Sequence, residues 1–405
     1  MKEKAQAPEL RFDGFTDDWE ERKLSEIGKI VTGNTPSTSN KGYYNGDFLF
    51  VSPADIQENR YVNKTTTTLT ELGFKTGRLV PKGATLFVSI GSTIGKIGQS
   101  ICDVITNQQI NSVISFSDYD DDFIYTSILN SSTKIKQLAA TQAVPIINKN
   151  EFGKSIIKIP SLEEQQKIGA FFKQLDDTIA LHQRKLDLLK EQKKGYLQKM
   201  FPKNGAKVPE LRFAGFADDW EERKLGELSN IMGGGTPSTS NTEYWDGDID
   251  WYAPAEIGEQ SYVSKSKKTI TELGLKKSSA RILPIGTVLF TSRAGIGNTA
   301  ILAKEATTNQ GFQSIIPDQN KLDSYFIFSR TNELKRYGEV TGAGSTFVEV
   351  SGKQMSKMSI MVPELSEQQK IGSFFKQLDN TIALHQRKLD LLKERKKGFL
   401  QKMFV

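Results

Sequence analysis

A glycine-rich segment is the part of this chain whose residue types and spacing most resemble a chemical site. Gly91–Ile97 resembles a phosphate-binding loop, but it is one residue short of the pattern GxxxxGK[ST], and Ile97 stands where a metal-binding hydroxyl is needed. The corresponding Gly297–Asn298 lacks the lysine altogether. We therefore expect no nucleotide at this segment. It is either a tight structural turn or a loop whose small hydroxyls contact a ligand.

The acidic, imidazole and thiol side chains are better explained as structural. Asp17–Glu21 and Asp218–Glu222 could supply acid–base catalysis, but an aspartate that caps a short helix is the simpler interpretation. His182 and His385 are the only histidines and Cys102 is the only cysteine, which excludes a disulfide framework and multi-cysteine metal sites. Because an adenine-methylation motif of the NPPY or NPPF type is also missing, we predict no catalytic residue, no metal site and no cofactor in this chain.

The composition is that of a globular protein with two or three domains. The chain has 405 residues, 37 % hydrophobic and 25 % charged, and its mean hydropathy is −0.43. No apolar run reaches the ~18 residues that a membrane span needs, and the charged start lacks the apolar core of a signal peptide, so we expect a cytoplasmic protein. The net charge of +6 is compatible with nucleic acid but is no basic stripe.

The chain consists of two related halves. Pro8–Phe12 recurs as Pro209–Phe213, at an offset of 201 residues. Leu162–Phe201 recurs as Leu365–Phe404, at an offset of 203 residues and with five differences. Between these segments the halves diverge. Each half therefore has a variable body and a nearly invariant tail, so the tails should do one job twice while the bodies do two different jobs of one kind.

The tails are predicted to be long helices that pair with each other. Apolar residues recur at spacings of four and three over more than four heptads, which is typical of a coiled coil, and one tail would span ~55 Å. In-register antiparallel pairing would place His182 opposite Leu389 and His385 opposite Leu186, where polar side chains fix the register at some cost in stability rather than bind a metal. The predicted seam consists of Leu175, Ile179, His182, Leu186, Leu189, Leu378, Ile382, His385, Leu389 and Leu392.

The bodies show mixed α/β patterns. Predicted strands lie at 48–52, 85–90, 111–116 and 155–159, with a helix over 122–130, and at 250–253, 288–292, 313–316 and 358–362 in the second body. The patterns predict the fold class α/β (α+β), with two mixed α/β domains and two long helices. If these helices pair antiparallel, they form a long antiparallel two-helix coiled coil that separates the domains, and the chain has a pseudo-twofold internal repeat.

Two functions are compatible with such a pattern. A pseudo-twofold protein with two different heads could read two different half-sites on duplex DNA, as dimeric DNA readers do with equal half-sites. The same pattern equally allows a rigid two-lobed protein-binding scaffold without DNA specificity. In both cases Phe171, Leu181 and Leu188 lie off the seam, which suggests a second buried face covered by a helix of a partner protein.

The ordered motifs of the two halves resemble the specificity (S) subunits of bacterial type I restriction-modification systems. Each motif alone is weak, but the ordered set occurs twice along the whole chain, together with the near-identical tails. The motifs are Gly33–Ser37 and Gly234–Ser238, Leu86–Gly95 and Leu289–Gly297, Thr106–Gln108 and Thr308–Gln310, and Pro160–Gly169 and Pro363–Gly372.

The resemblance implies a function and partners. Members of this family read an asymmetric bipartite site on double-stranded DNA with two target recognition domains. Their antiparallel coiled coil sets the unread gap and docks two methyltransferase (M) subunits, which carry S-adenosylmethionine and methylate adenine N6. Two restriction (R) subunits, which use ATP and Mg²⁺ and cut DNA, can join, while the S subunit is not catalytic. For this chain the resemblance implies recognition domains at 1–160 and 210–363, helical spacers at 161–201 and 364–405, and a linker at 202–209.

Side chains that could contact DNA lie in polar loops. The loop that begins at Gly33 is nearly identical to that at Gly234, so we assign it to backbone positioning or to fold structure, and specificity should reside where the halves diverge. Amides there could pair bidentately with adenine, although any one of them could instead brace a loop. The candidates are Thr35, Ser37, Lys41, Tyr43, Ser92, Thr93, Lys96, Asn107, Gln108, Gln109 and Gln142, and in the second half Thr236, Ser238, Tyr244, Arg293, Asn298, Asn309, Gln310, Gln313 and Ser345.

Overall fold

The computed structural model describes residues 7–139, 145–203, 205–258, 260–293, 295–343 and 349–404. The chain divides into two compact units, one formed by Met1–Lys185 with Gln386–Val405 and the other by Leu186–His385. Each unit therefore contains one repeated body, the first part of the helix that follows this body, and the last part of the helix of the other half. Within the described ranges no helix is long and apolar enough to cross a membrane.

The first unit is built around two antiparallel-rich sheets. Its strands are Glu20–Lys23 (β1), Gly28–Thr32 (β2), Tyr44–Val51 (β3), Tyr61–Val62 (β4), Thr67–Leu69 (β5), Leu79–Val80 (β6), Thr85–Val88 (β7), Ile97–Ser100 (β8), Val104–Thr106 (β9), Ile110–Ser115 (β10) and Ile156–Ile159 (β11). Its helices are Leu24–Ile27 (α1), Glu71–Phe74 (α2), Asp121–Gln137 (α3), Lys149–Gly153 (α4) and the start of Leu162–Lys199 (α5).

The strands of the first unit form two larger sheets and one separate pair. One sheet has the order β2-β10-β7-β8-β4, a second has the order β5-β3-β9-β6, and β1 pairs with β11. Helix α3 packs against the first sheet, because its apolar face buries Phe123 and Ile124 against Phe87 and Val113.

The second unit repeats this architecture. Its strands are Glu221–Lys224 (β12), Ser229–Gly233 (β13), Trp245–Tyr252 (β14), Tyr262–Val263 (β15), Lys268–Ile270 (β16), Val288–Phe290 (β17), Thr299–Leu302 (β18), Thr307–Thr308 (β19), Gln313–Pro317 (β20) and Ser359–Val362 (β21). Its helices are Leu225–Leu228 (α6), Glu272–Lys276 (α7), Ser324–Ser329 (α8), Thr331–Gly342 (α9), Gly352–Met355 (α10) and the start of Leu365–Met403 (α11). The sheet orders are β13-β20-β17-β18-β15, β16-β14-β19 and β12-β21.

The sequence patterns located most of these elements. The predicted strands correspond to β3, β7, β10 and β11 and to β14, β17, β20 and β21, and the predicted helix to α3. The main difference between the units lies after the first sheet. The single helix α3 is replaced by α8 and α9, which are separated at Arg330, where φ and ψ leave the helical region.

In each unit the two long helices run antiparallel. In the first unit Phe171 of α5 packs on Phe399 of α11 with ring centroids 5.0 Å apart, and Lys396 pairs with Asp176 at 2.5 Å. In the second unit Tyr196 packs on Phe374 at 5.0 Å. As the residue number increases along α5, the number of the paired residue in α11 decreases, as expected for the predicted antiparallel coiled coil. Continued along the helices, this register places His182 opposite Leu389.

The predicted seam differs in burial along its length. Leu186 and Leu389 are fully buried and Leu189 nearly so, whereas Leu175, Ile179, His182, Leu378, Ile382, His385 and Leu392 are half-buried. The off-seam leucines stay open, with Leu181 59 % and Leu188 51 % exposed, and their counterparts Leu384 and Leu391 are also exposed. Phe171 is partly buried against the core of the first unit. The leucines therefore form apolar positions that the chain itself does not cover.

The repeated motif at the start of each long helix attaches the helix to its domain. The buried Glu164 accepts two hydrogen bonds from Arg11, and Gln165 accepts one from the backbone N of Asp120, the N-cap of α3, at 3.1 Å. A Cβ on Gly169 would overlap Asp120 Oδ1 and lie 2.8 Å from the backbone N of Phe123, so only glycine permits this approach. Glu367, Gln368 and Gly372 make the same contacts in the second unit.

A second attachment differs between the units. In the first, the buried Arg60 guanidinium bonds Asp122 of α3 at 2.5 Å and lies 3.4 Å from Asp176 of α5. In the second, the Tyr325 hydroxyl contacts Asp379 of α11 at 2.8 Å and the Ser261 hydroxyl at 3.0 Å. The helix aspartate is thus common to both units, while each domain supplies its own partner for it.

Candidate nucleic-acid interface

Two polar motifs that are far apart in the sequence meet in each domain. A Cβ on Gly33 would overlap the carbonyl oxygens of Thr106 and Asn107, so this glycine lets the two backbones touch. Two residues later, the Thr35 hydroxyl donates to Gln108 Oε1 at 2.7 Å. In the second domain Gly234 lies in the same way against Thr308 and Asn309, and Thr236 donates to Gln310. The first motif therefore positions the second.

Hydrogen bonds from neighbouring side chains hold the loop from Gly33 to Asn40 and the turn that follows it. The Tyr44 hydroxyl donates to the Pro36 carbonyl at 2.6 Å, and burial raises the pKa of this phenol, so it stays a donor at neutral pH. The following turn is held by Thr70, whose hydroxyl donates to the Gly42 carbonyl at 2.7 Å. Trp245 and Thr271 take these roles in the second domain. This bracing leaves the Ser37 and Lys41 side chains exposed.

The turn after β7 lies beside the end of the motif Thr106–Gln108, and these two segments together with the loop from Gly33 to Asn40 are called the loop surface of the domain. In the first domain the backbone N of Ser89 donates to the Gln109 carbonyl at 2.8 Å, and Gly91 N donates to the Pro145 carbonyl at 3.1 Å. In the second domain Ser292 N donates to the Gly311 carbonyl at 2.8 Å. Gly91 has φ of +93°, which favours glycine at the start of the turn. Ser92 is exposed and Thr93 half-exposed at its tip.

Some predicted contact residues also contact other parts of their domain. Lys96 Nζ lies 3.4 Å from the Ile56 carbonyl. Its counterpart Asn298 packs near Gly258. Tyr43 and Tyr244 are half-buried, and their backbones lie against Gly73 and Gly274.

The amides of the second motif have different roles. Asn107 is engaged with its own loop, since its Oδ1 accepts from Gln109 N at 3.0 Å and its Nδ2 donates to Gln109 Oε1 at 3.1 Å. Asn309 likewise accepts from Gly311 N at 2.7 Å. Gln313 is half-buried at the start of β20, and Gln108 and Gln310 are exposed. Gln142 and Ser345 lie outside the described residues.

Two residues of this surface were missed by the sequence analysis. Arg78 donates to the Thr32 carbonyl at 2.8 Å, and its backbone N donates to Asn34 Oδ1 at 2.8 Å, so it supports the first loop while remaining exposed. Glu349 forms an isolated bridge with Arg293. Neither lies in a repeated motif, and their only sequence signal was a long polar side chain in a divergent segment.

The surface is built for hydrogen bonding with exposed hydroxyls, amides and a few cations. Such groups contact phosphates and the edges of bases. In the part of the chain that the structure describes, no cluster of three or more His, Cys, Asp or Glu side chains could hold a metal ion. The fold and these surfaces define a duplicated binding module, with one loop surface in each of two similar units.

Comparison with known proteins identifies the module. Residues 16–191 and 217–394 match the family described as type I restriction modification DNA specificity domain. The chain belongs to this family, and the two matches correspond to the two halves of the sequence.

Individual relatives agree with this assignment. The chain is 37 % identical to the type I restriction enzyme MjaIX specificity subunit of Methanocaldococcus jannaschii over 179 residues, which cover 44 % of this chain and 41 % of that protein. It is 20 % identical to the MjaVIII specificity subunit of the same organism over 95 % of this chain and 91 % of that protein. A crystal structure of the type I restriction-modification S subunit from M. genitalium has the same fold, with a TM-score of 0.69, 15 % identity, and coverage of 98 % of this chain and 99 % of that chain.

Proposed function

We propose that this chain is the DNA-recognition subunit of a type I restriction-modification complex, and that each domain reads one half of an asymmetric bipartite site. One observation supports this most strongly. Both domains present the same three loops on the same sheets, with an identical Thr–Gln contact between the first two loops and different residues where the second and third loops meet, Gln109 and Ile90 in the first domain and Gly311 and Arg293 in the second. A surface with a common frame and a variable centre suits two related but unequal DNA sequences.

The division of labour follows from the chemistry of the loops. Residues common to both domains, such as Ser37 and Ser238, are suited to phosphates and sugars, because a shared contact cannot distinguish two half-sites. Residues that differ, such as Gln109 and Arg293, are suited to base edges. The modest net charge of +6 means that the isolated chain should bind DNA weakly and with strong salt dependence.

The paired helices have two proposed roles. They set the number of unread base pairs between the half-sites, and they dock methyltransferase subunits. Away from its first turn, each long helix exposes one off-seam leucine in each unit, Leu181 and Leu391 in the first unit and Leu188 and Leu384 in the second. In the first unit a shallow groove of about 330 Å³ runs from Ala170 to Leu181. One apolar site per unit supports two methyltransferase subunits per chain.

The chemistry would then reside in the partners. In the proposed complex the methyltransferase subunits use S-adenosylmethionine to methylate adenine N6, and two restriction subunits that use ATP and Mg²⁺ can join them. The chain itself would be non-catalytic. Because the proposed substrate is DNA, we propose that the chain acts in the cytoplasm.

Methylome sequencing of cells with and without this gene tests the proposal. We expect one asymmetric bipartite N6-methyladenine motif that disappears when the gene is deleted. Exchanging the body of one domain for a relative's should change one half of the motif only, and lengthening both helices by one turn should widen its gap. A motif that survives the deletion, or one that has no gap, would contradict the proposal.

A further inference from the structure

The turn after β7 and the second polar motif meet at an equivalent junction in the two domains. The same hydrogen bond, from Ser89 N to the Gln109 carbonyl and from Ser292 N to the Gly311 carbonyl, is 2.8 Å long in each domain. The next residues, Ile90 and Arg293, each form an isolated antiparallel bridge with a following loop, to Ile146 and Glu349 respectively. Gln109 therefore corresponds to Gly311, and Ile90 corresponds to Arg293.

The two domains have different side chains at the two equivalent positions of this junction. In the first domain Ile90 is apolar and Gln109 carries a long amide. In the second domain Gly311 has no side chain and Arg293 carries a guanidinium. A Cβ on Gly311 would lie 2.9 Å from Pro254 Cγ and 3.0 Å from Asn309 Oδ1, so a side chain at 311 would be crowded, and Arg293 Nε lies 3.8 Å from the same point. Each domain thus places one long polar side chain at the same junction. In the first domain this side chain comes from the second polar motif, and in the second domain it comes from the turn that packs against this motif.

Both side chains keep donors for a ligand. Gln109 Oε1 accepts one hydrogen bond from Asn107 Nδ2 at 3.1 Å, which leaves a second lone pair, and Gln109 Nε2 makes no hydrogen bond to any described residue. Arg293 Nη1 is 3.9 Å from Glu349 Oε2, beyond hydrogen-bonding distance, and its side chain is 36 % exposed. The carboxylate orients the guanidinium without occupying its donors.

An amide and a guanidinium read different purines. In the major groove a glutamine pairs bidentately with adenine N6 and N7, and an arginine pairs bidentately with guanine O6 and N7. We infer that Gln109 specifies an adenine in the half-site of the first domain and that Arg293 specifies a guanine at the corresponding place in the half-site of the second. This inference rests on the proposed function, because it assumes that both junctions face DNA.

Single substitutions in the full chain, produced with its methyltransferase partner, test the inference by methylome sequencing. Q109A should relax one A·T position in the first half of the motif only. R293Q should lose the preference at one G·C position in the second half only, with a shift toward A·T there because glutamine pairs with adenine. Each change should lower the preference for the correct base roughly 5- to 150-fold, the range for loss of one bidentate contact. Q137A on α3 and R336Q on α9 are matched controls, exposed in the same domains, and should leave the motif unchanged. Exchange of one body assigns each half of the motif to its domain.

The outcomes separate the inference from the proposed function. If the wild-type chain directs a bipartite motif and Q109A or R293Q leaves it intact, or changes a position of another base or of the other half, the inference is wrong and the function stands. If no bipartite motif exists, the function itself fails. R293K keeps the charge but loses the planar fork, so it should retain methylation with weakened guanine preference. If folded R293K and R293Q both abolish methylation everywhere, Arg293 serves affinity and not base choice, and the inference is overturned.

Discussion

Arg11 and Glu164, 153 residues apart in the chain, are joined by two parallel hydrogen bonds of 2.7 Å and 2.8 Å. The carboxylate is fully buried, and the hydrogen bond to Glu164 raises the pKa of Arg11. Arg212 and Glu367 repeat this pair in the second unit at 2.8 Å and 2.7 Å. In each half of the chain, a bidentate ion pair therefore attaches the N-terminal segment of the domain to the helix that follows the domain.

Removing the charge of Glu164 should destabilise the first unit. E164Q leaves the partly exposed Arg11 guanidinium without its buried carboxylate and turns an amide N–H group toward it, and we expect a loss of about 1–3 kcal/mol in the free energy of unfolding. Urea unfolding followed by circular dichroism measures this loss. E163Q is the matched control, because the neighbouring Glu163 is exposed and should cost less than about 0.5 kcal/mol. Equal effects of the two substitutions would refute the role of the buried pair.

Glycines of the long helix should respond with opposite signs to alanine. G169A would push a methyl group into the N-cap of α3, so we expect a loss of about 1–3 kcal/mol. Gly195 has no heavy atom near its would-be Cβ, so G195A should stabilise the helix by up to about 1 kcal/mol. Thermal unfolding of the two variants checks the pair. A stable G169A would show that α3 can move away from α5.

Introducing the Ser–Tyr attachment of the second domain into the first should partly restore the stability that is lost when Arg60 is replaced. R60S removes the buried guanidinium that joins Asp122 and Asp176, and should cost about 3 kcal/mol or more. The double variant R60S/D122Y reproduces the Ser261 and Tyr325 arrangement of the second unit and should recover at least half of this loss. A double-mutant cycle measures the coupling. Purely additive losses would contradict the equivalence of the two attachments.

The histidines of the seam should limit stability while defining the register. The double variant H182L/H385L replaces two polar residues of a largely apolar interface, so its melting temperature should be equal to or higher than that of the parent chain. Cross-linking of cysteine pairs placed along α5 and α11 should report additional registers in this variant. A clear fall in melting temperature would show that the imidazoles contribute contacts that leucine cannot replace.

The exposed leucines should matter for partners and not for folding. L181S/L391S changes one apolar site in the first unit, and we expect an unchanged melting temperature but methyltransferase binding weakened by at least about tenfold. Isothermal titration with the methyltransferase subunit measures this. L186S, at a seam position that is fully buried, is the contrasting control and should destabilise the chain. Unchanged methyltransferase affinity in L181S/L391S would place the docking surface elsewhere.

The sequence alone determined the plan of this protein, because repetition and periodicity are local properties. The recurrence of Leu162–Phe201 as Leu365–Phe404 predicted two equal helices, the heptad spacing around Leu186 and Leu389 predicted a coiled coil, and the family resemblance implied that the two helices are antiparallel. The alternation of short apolar segments with polar loops located the principal strands.

Only the tertiary structure decided which distant residues meet. Thr35 and Gln108 are 73 positions apart, and their hydrogen bond depends on the order in which β-strands pair, which no local pattern specifies. The same holds for the contact of Arg11 with Glu164. It also holds for the junction between the second and third loops, to which Gln109 contributes the long polar side chain in one domain and Arg293 does so in the other. Side chains from different strands of a sheet come together only when the strands are assembled, so the sequence could name Gln109 and Arg293 as candidates but could not show that they lie at equivalent junctions of the two domains.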